Sequence, residues 1–251
     1  MRIIITGATG RMGRALAAAA NEAGVEIAAF VSPEFTETDS THCLHAADFK
    51  GEADVLIDFS HHLATEELTA FCEARGIPAV ICATGQTPEE NARIETAAEK
   101  IAVFRSANMS LGVAFLREIA AKAAALFPDA DIEITEIHHN RKLDVPSGTA
   151  LALGRAVTEA RQGAYLTVGR RDNGRRDPNE VGVHALRLGN QVGTHTVYVD
   201  TGRETLTLTH TANDRALFAD GALKAAAFLI GKAPGLYGME DLMAALGKTG
   251  G

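Results

Sequence analysis

The sequence predicts an α/β fold in two parts, a doubly wound parallel sheet followed by a C-terminal α+β domain with an open mixed sheet. Three observations support this prediction. Short apolar segments alternate with helical ones over the first hundred residues, the pattern changes after about residue 108, and the first apolar segment runs into a glycine-rich turn. A chain of 251 residues that is 46% hydrophobic can bury the cores that two such parts require.

The N-terminal part is predicted from nearly continuous apolar segments of strand length, which are typical of strands buried on both faces of a parallel sheet. The five predicted strands cover residues 3–6, 27–31, 55–59, 79–82 and 101–104. Segments of helical composition separate them at residues 12–23, 64–75 and 88–100. Repeated strand–helix–strand units with right-handed crossovers build a doubly wound sheet.

The C-terminal part has a different pattern. Helices are predicted for residues 110–127 and 147–161, with an alternating strand at 131–137 between them. Further alternating strands are predicted at 181–188, 193–200 and 203–210. Closely spaced strands of this kind favour an antiparallel or mixed sheet with one open face. The last predicted helix, 214–230, and the tail to residue 251 could pack on either part.

Charge and composition disfavour several functional classes. A net charge of -8 and a pI of about 5.6 argue against a nucleic-acid partner, because phosphate neutralisation requires a basic surface. The sequence shows no signal peptide pattern and no apolar segment of membrane-spanning length, so we expect no membrane association and a cytoplasmic location. The three cysteines, Cys43, Cys72 and Cys82, have neither disulfide nor zinc spacing and are expected to be buried thiols.

The glycine-rich turn opens a predicted helix and reads Gly7-Ala8-Thr9-Gly10-Arg11-Met12-Gly13. Glycines at such a turn let the backbone approach a pyrophosphate, and the helix N-terminus supplies N–H groups and a positive dipole. The spacing is less specific than Gly-x-Gly-x-x-Gly, but its position between a strand and a helix predicts a Rossmann-type dinucleotide site. A turn that only caps the helix is the simpler alternative.

The end of the second strand is where such domains place an acidic residue on the adenosine ribose. Here Phe30-Val31-Ser32-Pro33 occupies that place, and the first acid is Glu34. Between Arg14 and Lys50 there is no lysine or arginine to hold a ribose phosphate, although Arg11 in the turn could reach one. The choice between NADPH and NADH therefore stays open, with NADPH or the use of both slightly favoured.

Side chains suited to chemistry are concentrated between Glu136 and Ala150. A strand delivers His138 and His139, a loop carries Lys142, and Ser147 is a favoured helix N-cap. Taken singly, the two histidines are typical of a polar strand end, Lys142 of a surface charge and Ser147 of a helix cap. Together they predict a cationic pocket that binds a carboxylate and contains a histidine able to transfer a proton. Ligation of one metal ion by both histidines is not favoured, because adjacent strand residues point to opposite faces.

These motifs resemble those of the dihydrodipicolinate reductase family. The resemblance rests on the glycine turn and on the pattern His138-His139-x-x-Lys142-x-Asp144-x-Pro146-Ser147-Gly148-Thr149-Ala150. It continues along essentially the whole chain in the shorter blocks Asp58-Phe59-Ser60, Ala83-Thr84-Gly85, Ala107-Asn108-x-Ser110-x-Gly112, Gly193-x-His195-Thr196, His210-x-Ala212 and Gly221-Ala222-Leu223.

The resemblance implies a homotetramer that reduces a small dicarboxylate, 4-hydroxy-tetrahydrodipicolinate, to tetrahydrodipicolinate with NADPH or NADH, in lysine and diaminopimelate biosynthesis. It also implies a dinucleotide-binding domain of residues 1–108 and 213–251. Residues 109–212 would form the substrate-binding and oligomerisation domain.

Carried over by position, the resemblance also implies roles for individual residues, and no metal is expected. His138 would donate or accept a proton, and Lys142 would donate one near the ring. The substrate would contact His139, Ser147, Gly148, Thr149 and Thr84. The cofactor would be lined by Gly7, Ala8, Thr9, Gly10, Arg11, Met12, Ser32, Phe59, Cys82, Ala83, Thr84, Ser106, Ala107, Asn108 and Met109.

Two alternative enzymes and one sensor remain as competing hypotheses. Another amino-acid dehydrogenase with the same two-domain architecture would share the glycine turn, but its function would not require the histidine–lysine pattern. A short-chain dehydrogenase is disfavoured because neither Tyr165 nor Tyr198 is followed four residues later by lysine. A dinucleotide sensor without catalysis would not need Lys142 and the histidines.

A predicted loop carries a basic cluster that comprises Arg170, Arg171, Arg175 and Arg176. These side chains are either solvated surface charges or steer an anionic ligand toward its site.

Overall fold

The computed structural model describes residues 1–171 and 173–248. The chain forms two compact units. The first comprises Met1–Ser110 together with the chain from Arg215 onward, and the second comprises Leu111–Asp214. The last three residues of the predicted dinucleotide domain, 249–251, lie outside the described residues.

The first unit contains a parallel sheet of seven strands. These are β1 (Arg2–Thr6), β2 (Glu26–Val31), β3 (His42–Cys43), β4 (Val55–Asp58), β5 (Ala79–Ile81), β6 (Ala102–Arg105) and β12 (Gly235–Tyr237). Their order across the sheet is β12-β6-β5-β4-β1-β2-β3. The strand order reverses direction between β1 and β4, which creates a crevice at the carboxyl ends of these two strands.

Helices cover both faces of this sheet. They are α1 (Arg11–Glu22), α2 (Thr65–Arg75), α3 (Pro88–Ala98), α6 (Ala216–Leu229) and α7 (Met239–Lys248), with single 3-10 turns at Ala46–Asp48 and His62–Ala64. Helices α2 and α3 pack together over a core that includes Ile4, Leu56 and Val103, while α1 packs against α6. Helix α3 begins with a capping box, in which Thr87 accepts from the Glu90 amide and the Glu90 side chain accepts from the Thr87 amide.

The second unit is a mixed sheet with helices on one face. Its elements are α4 (Leu111–Leu126), β7 (Asp131–His138), α5 (Gly148–Ala160), β8 (Tyr165–Val168), β9 (Glu180–Arg187), β10 (Gly193–Asp200) and β11 (Thr205–Ala212). The strand order is β11-β10-β7-β9-β8, in which β10 is antiparallel to both neighbours and β7, β9 and β8 are parallel. Alternate residues such as Ile132, Ile134, Val197 and Val199 form the core with α4 and α5.

The predicted fold class is confirmed in both parts, and the differences are local. The strand predicted at 203–210 begins later, because Thr201 and Glu204 close a turn in which Gly202 has a φ of 79°. Strands β3, β8 and β12 and helix α7 were not predicted. The two-residue β3 and three-residue β12 are too short for periodicity to identify. No described helix combines the length and apolar character needed to cross a bilayer.

Gly13 in α1 makes the closest backbone approach in the glycine turn. A Cβ atom at Gly13 would lie 2.3 Å from the Gly7 carbonyl oxygen and 2.7 Å from the Ala8 Cα atom. Both obstacles are backbone atoms, so no side chain can move aside. Helix α1 can therefore lie against the turn only because position 13 has no side chain.

We expect Gly13→Ala to lower the melting temperature and to weaken nucleotide binding, because the clash displaces the turn predicted to bind the dinucleotide. The helix-propensity gain of about 1 kcal/mol is outweighed by an overpacking cost of about 1–3 kcal/mol. Gly247→Ala in α7 is the matched control, because its Cβ would meet no atom within 4 Å. Circular dichroism melting and NADH fluorescence titration would measure both effects, and equal behaviour of the two variants would contradict the packing argument.

Candidate active site

A cavity of about 320 Å³ lies within the first unit at the carboxyl ends of its strands. Its walls come from the start of α1, the segments after β4, β5 and β6, and the start of α6. The lining residues are Arg11, Met12, Phe59, Cys82, Ala107, Asn108, Met109, Arg215 and Phe218. Seven of them belong to the predicted cofactor set. Arg215 and Phe218 do not, because nothing in the sequence distinguishes them from other residues of the helix predicted at 214–230.

The glycine turn fits a dinucleotide pyrophosphate. Gly7 has a φ of 69°, and a Cβ atom there would lie 2.6 Å from the Phe59 carbonyl oxygen. Gly10 is the N-cap of α1 and provides no side-chain cap, and the first turn of α1 contains no acidic residue. The first-turn N–H groups and the helix dipole therefore favour an anion at this position. These features, together with the adjoining cavity, fit a nicotinamide dinucleotide.

Asp58 holds the segment that backs this turn. Its Oδ1 atom accepts hydrogen bonds from Thr6 Oγ1 (2.7 Å), the Ser60 amide (2.8 Å) and Ser60 Oγ (2.5 Å). Burial raises the pKa of Asp58, and the hydrogen bonds from Ser60 and Thr6 oppose this shift. A buried carboxylate with three donors fixes the path of residues 58–60, against which Gly7 packs.

The second unit contains a buried cluster built around Glu136 and His138 on β7. Glu136 Oε2 is in direct contact with His138 Nδ1, and Glu136 Oε1 accepts from the Ser147 amide (3.1 Å). Both Nη atoms of Arg187 on β9 donate to the same Oε1 (3.0 Å each). Burial lowers the pKa of His138, and the adjacent Glu136 carboxylate opposes the shift.

A second histidine, His195 on β10, completes this cluster. Its ring meets the ring of His138 edge-on with 5.1 Å between centroids, and its Nε2 lies 3.1 Å from Ser147 Oγ. Ser147 Oγ also caps α5 by accepting from the Ala150 amide (3.2 Å). Burial, with added repulsion from nearby cationic groups, lowers the pKa of His195 to about 3, so this ring is neutral. The Ser147 hydroxyl is thus used within the protein at the start of α5.

Lys142 lies in the loop between β7 and α5 and pairs with Asp144 (2.9 Å). The hydrogen bond from Lys142 lowers the pKa of Asp144. The loop is held to the β9–β10 connection, since the Asn140 amide donates to the Gly189 carbonyl (3.2 Å) and Arg187 donates to the Asp144 carbonyl (2.6 Å). The ammonium group is thereby held at a defined place beside the histidine cluster.

Metal binding is the other chemistry that this cluster could support. Glu136, His138 and His195 each offer a ligand atom, and these atoms lie within 4.8 Å of one another. However, the Glu136 carboxylate is already paired with the Arg187 guanidinium, so a cation there would face a fixed positive charge. We therefore interpret the cluster as an acid–base site.

Comparison with known proteins gives the family. A family model described as "Dihydrodipicolinate reductase, N-terminus" matches residues 1–109, and one described as "Dihydrodipicolinate reductase, C-terminus" matches residues 112–243. This chain belongs to the dihydrodipicolinate reductase family.

Individual relatives agree with the family models. A 4-hydroxy-tetrahydrodipicolinate reductase of Caldanaerobacter subterraneus subsp. tengcongensis is 43% identical over 248 residues, which cover 97% of this chain and 98% of the relative. A protein of the same name from an Exiguobacterium species is 41% identical over 96% of this chain and 95% of its own. The fold matches that of a dipicolinate-bound dihydrodipicolinate reductase from Paenisporosarcina sp. TG-14, with a TM-score of 0.78, 24% identity, and coverage of 96% and 98%.

The predicted site residues fall into two groups, one in each unit. His138, His139, Lys142, Ser147, Gly148 and Thr149 lie on β7, the following loop and the start of α5, all in the second unit. Thr84, predicted to contact the substrate and the cofactor, lies in the first unit, in the exposed segment after β5. Ser106 is part of the turn after β6, where its hydroxyl donates to the Asn108 carbonyl (2.7 Å).

No role was predicted from the sequence for Glu136, Arg187 or His195. Glu136 and His195 nevertheless contact the ring of His138, and Arg187 binds Glu136. Glu136 could have been found, because residues two apart on a strand share a face. Arg187 could not, since the pairing of His138 with Arg187 depends on the register of β7 and β9.

The predicted basic cluster is partly paired. Arg170 binds Glu180 (2.9 Å), and Arg176 binds Asp131 (2.7 Å) and Glu133 (3.2 Å). These two arginines therefore tie their own positions, before and after residue 172, to strands β7 and β9. This use accounts for their charge without an anionic ligand.

Glu34 reaches the glycine turn from the end of β2. Its carboxylate accepts from Thr9 Oγ1 (2.7 Å), and the same hydroxyl lies 2.8 Å from Ser32 Oγ. Although Glu34 lies three residues beyond β2, its contact with the turn brings an exposed acid close to the end of that strand, where this fold binds the adenosine ribose hydroxyls. A 2′-phosphate at that place would meet the negative charge of Glu34.

We expect the chain to bind NADH more tightly than NADPH, which differs from the preference suggested by the sequence alone. Glu34→Gln should reduce the ratio of the NADPH and NADH dissociation constants by about tenfold, equivalent to about 1.4 kcal/mol. Fluorescence titration of both dinucleotides would measure the ratio. Glu37→Gln removes the same charge from the neighbouring exposed segment and should leave the ratio unchanged. A ratio that Glu34→Gln does not alter would contradict this role.

Proposed function

We propose that this chain is a reductase that converts 4-hydroxy-tetrahydrodipicolinate to tetrahydrodipicolinate with NADPH or NADH, in lysine and diaminopimelate biosynthesis. The observation that carries the proposal is the buried cluster of Glu136, His138 and His195 at the start of α5, with Lys142 beside it. Relatives more than 40% identical over nearly the whole chain carry the name of this activity. A nicotinamide dinucleotide, when bound, supplies the hydride.

The substrate is a ring dicarboxylate, and the second unit offers groups suited to carboxylates. Gly148 and Thr149 begin α5, whose N-terminal amides and dipole favour an anion. Lys142 adds an ammonium group, and His139 follows β7 directly. We assign substrate binding to His139, Gly148 and Thr149. The hydroxyl of Ser147 supports this site from within by capping the helix.

His138 is the group that we assign to proton transfer. Addition of a hydride to the ring leaves an electron pair that must be protonated, and an imidazole can supply that proton near neutral pH. Lys142 stabilises the developing negative charge and is a second proton source. Cofactor binding is assigned to the first unit and substrate binding to the second.

The first test is oxidation of NADH and NADPH by purified protein, with the substrate generated in the cuvette by dihydrodipicolinate synthase. We expect oxidation that depends on the synthase product. His138→Gln and Lys142→Cys should each lower kcat by about 10²–10⁴-fold, because each removes a proton-transfer or charge-stabilising group. Dissociation constants for NADH should stay near the wild-type value.

Two results would contradict the proposal. Wild-type protein that binds NADH but does not oxidise it with this substrate would point to a related dehydrogenase or a sensor. Variants with wild-type turnover would remove the assigned roles of His138 and Lys142 while leaving the activity itself in place.

We further propose that the open face of the second sheet is the interface of a homotetramer. Helices α4 and α5 cover one face, and the other carries Tyr198 and Leu186 together with threonine pairs across β10 and β11. Thr194 and Thr196 bind Thr211 (3.3 Å) and Thr209 (3.1 Å) side chain to side chain. Glu133 on this face is paired with His184 and Arg176, so the face can be buried against another copy without leaving that charge unpaired.

We expect sedimentation velocity to give a tetramer for the wild-type chain. Thr209→Lys places a charge on the open face and should dissociate it, because burial of an unpaired ammonium group is costly. Thr96→Lys, at an exposed position of α3, is the matched control and should sediment like the wild type. A monomeric wild-type chain would contradict the assembly and leave the proposed activity untouched.

We place the protein in the cytoplasm. All three cysteines are buried free thiols, which suits a reducing compartment.

A further inference from the structure

Glu136 and His138 are held in one geometry by their place on the sheet. Residues two apart on a strand share a face, so both side chains point from β7 to the same side. Glu136 is fully buried, and burial of a carboxylate requires partners for both oxygens. Its Oε2 contacts His138 Nδ1, and its Oε1 is occupied by other donors.

The donors to Oε1 come from two further elements. The Ser147 amide at the start of α5 donates at 3.1 Å, and the Arg187 guanidinium at the end of β9 donates through both Nη atoms at 3.0 Å. Because β7, α5 and β9 all contribute, the carboxylate cannot rotate without breaking bonds on several sides. The ring of His138 is therefore oriented by a group that is itself fixed.

The other ring nitrogen lies beside a position that has no side chain. A Cβ atom at Gly193 on β10 would lie 2.9 Å from His138 Nε2 and 3.3 Å from Cδ2. Any larger residue would press on the Nε2 edge of the ring. Gly193 thus keeps space at that nitrogen, while Nδ1 is engaged by Glu136.

We propose that Glu136 is the positioning residue of the acid–base histidine: it holds Nδ1–H of His138 and leaves Nε2 as the atom that exchanges a proton with the substrate. This inference rests on the proposed reductase function. In the transfer the Nε2–H bond breaks and its electron pair stays on Nε2. The substrate atom binds the proton with the electron pair displaced by hydride addition. The ring is left neutral with Nδ1–H still on Glu136, and water restores the Nε2 proton.

Charges of both signs surround His138, and each shifts the pKa of the ring in a defined direction. The titratable and charged groups that face the ring from β7, the following loop, β9 and β10 are Glu136, Lys142, Asp144, Arg187 and His195. The carboxylate of Glu136 favours the protonated ring, while Arg187 and Lys142 disfavour it. Removal of the Glu136 charge must therefore lower the pKa of His138, and removal of the Arg187 charge must raise it.

The test is a pH titration of ¹⁵N-histidine-labelled protein by NMR, without substrate or cofactor, with His138→Gln used to assign the signal. In the wild type the neutral ring should carry its proton on Nδ1. In Glu136→Gln the pKa of His138 should fall by about one pH unit or more, and the fixed tautomer should be lost. In Arg187→Gln the pKa should rise while the Nδ1–H tautomer persists. A wild-type ring protonated on Nε2, or a tautomer and pKa unchanged in Glu136→Gln, would overturn the proposal.

Kinetics provide the second readout. Glu136→Gln should lower kcat by about 10²-fold or more, with little change in the NADH dissociation constant. The alkaline limb of its kcat/KM profile should move to lower pH with the His138 pKa, and Glu136→Asp should restore part of both. A fall in kcat without movement of the pH profile would indicate a structural role only. Inactive wild-type protein would refute the proposed function, while the NMR titration would still decide the role of Glu136.

Two further variants guard against misfolding and nonspecific charge effects. If Glu136→Gln fails to fold because Arg187 is left unpaired, Glu136→Gln combined with Arg187→Gln removes both charges and should still lose the fixed tautomer. Glu133→Gln is the matched control. Glu133 lies on the opposite face of β7 and also pairs with a histidine and an arginine, His184 (2.8 Å) and Arg176 (3.2 Å). Its removal should leave the His138 tautomer and pKa unchanged.

Discussion

The second unit is organised around one buried charge. The Glu136 carboxylate has no solvent contact, and a carboxylate in such a place is tolerated only when hydrogen bonds and a counter-ion replace water. Its partners are His138, the Ser147 amide and Arg187, which belong to or adjoin three separate elements. These contacts tie the start of α5 and the end of β9 to the carboxylate on β7. The orientation of the histidine follows from the same contacts.

In the first unit the main constraint is a different one: the backbone must come close to a ligand. Gly7 and Gly13 permit approaches that any Cβ would prevent, and Asp58 fixes the neighbouring segment through buried hydrogen bonds. Here the absence of side chains creates the site, whereas in the second unit the dense interaction of side chains creates it. Both arrangements hold a few atoms with little freedom, which suits the binding and proton transfer that we propose for them.

Much of this could be predicted from the sequence, for physical reasons that differ by element. Strand β10 and helix α2 were located within a residue or two, because alternating apolar residues mark the strand and composition and length mark the helix. The segment from His138 to Thr149 was identified because its residue types are rarely combined. Contacts that depend on strand register were beyond reach, as Arg187 beside Glu136 shows. Glu34 was known as the first acid after β2, but its contact with Thr9 depends on the path of the chain beyond that strand.

The first unit is interrupted in sequence, and this affects how the chain can fold during synthesis. Strand β12, which completes the sheet beside β6, and helix α6, which contacts β4, β5, β6 and α1, are translated after the whole second unit. The second unit is continuous and can collapse as soon as it leaves the ribosome, while the earlier unit waits with an unpaired sheet edge and an uncovered apolar surface. The first unit is thus begun first and completed last. During synthesis its unfinished sheet is the part of the nascent chain most vulnerable to aggregation.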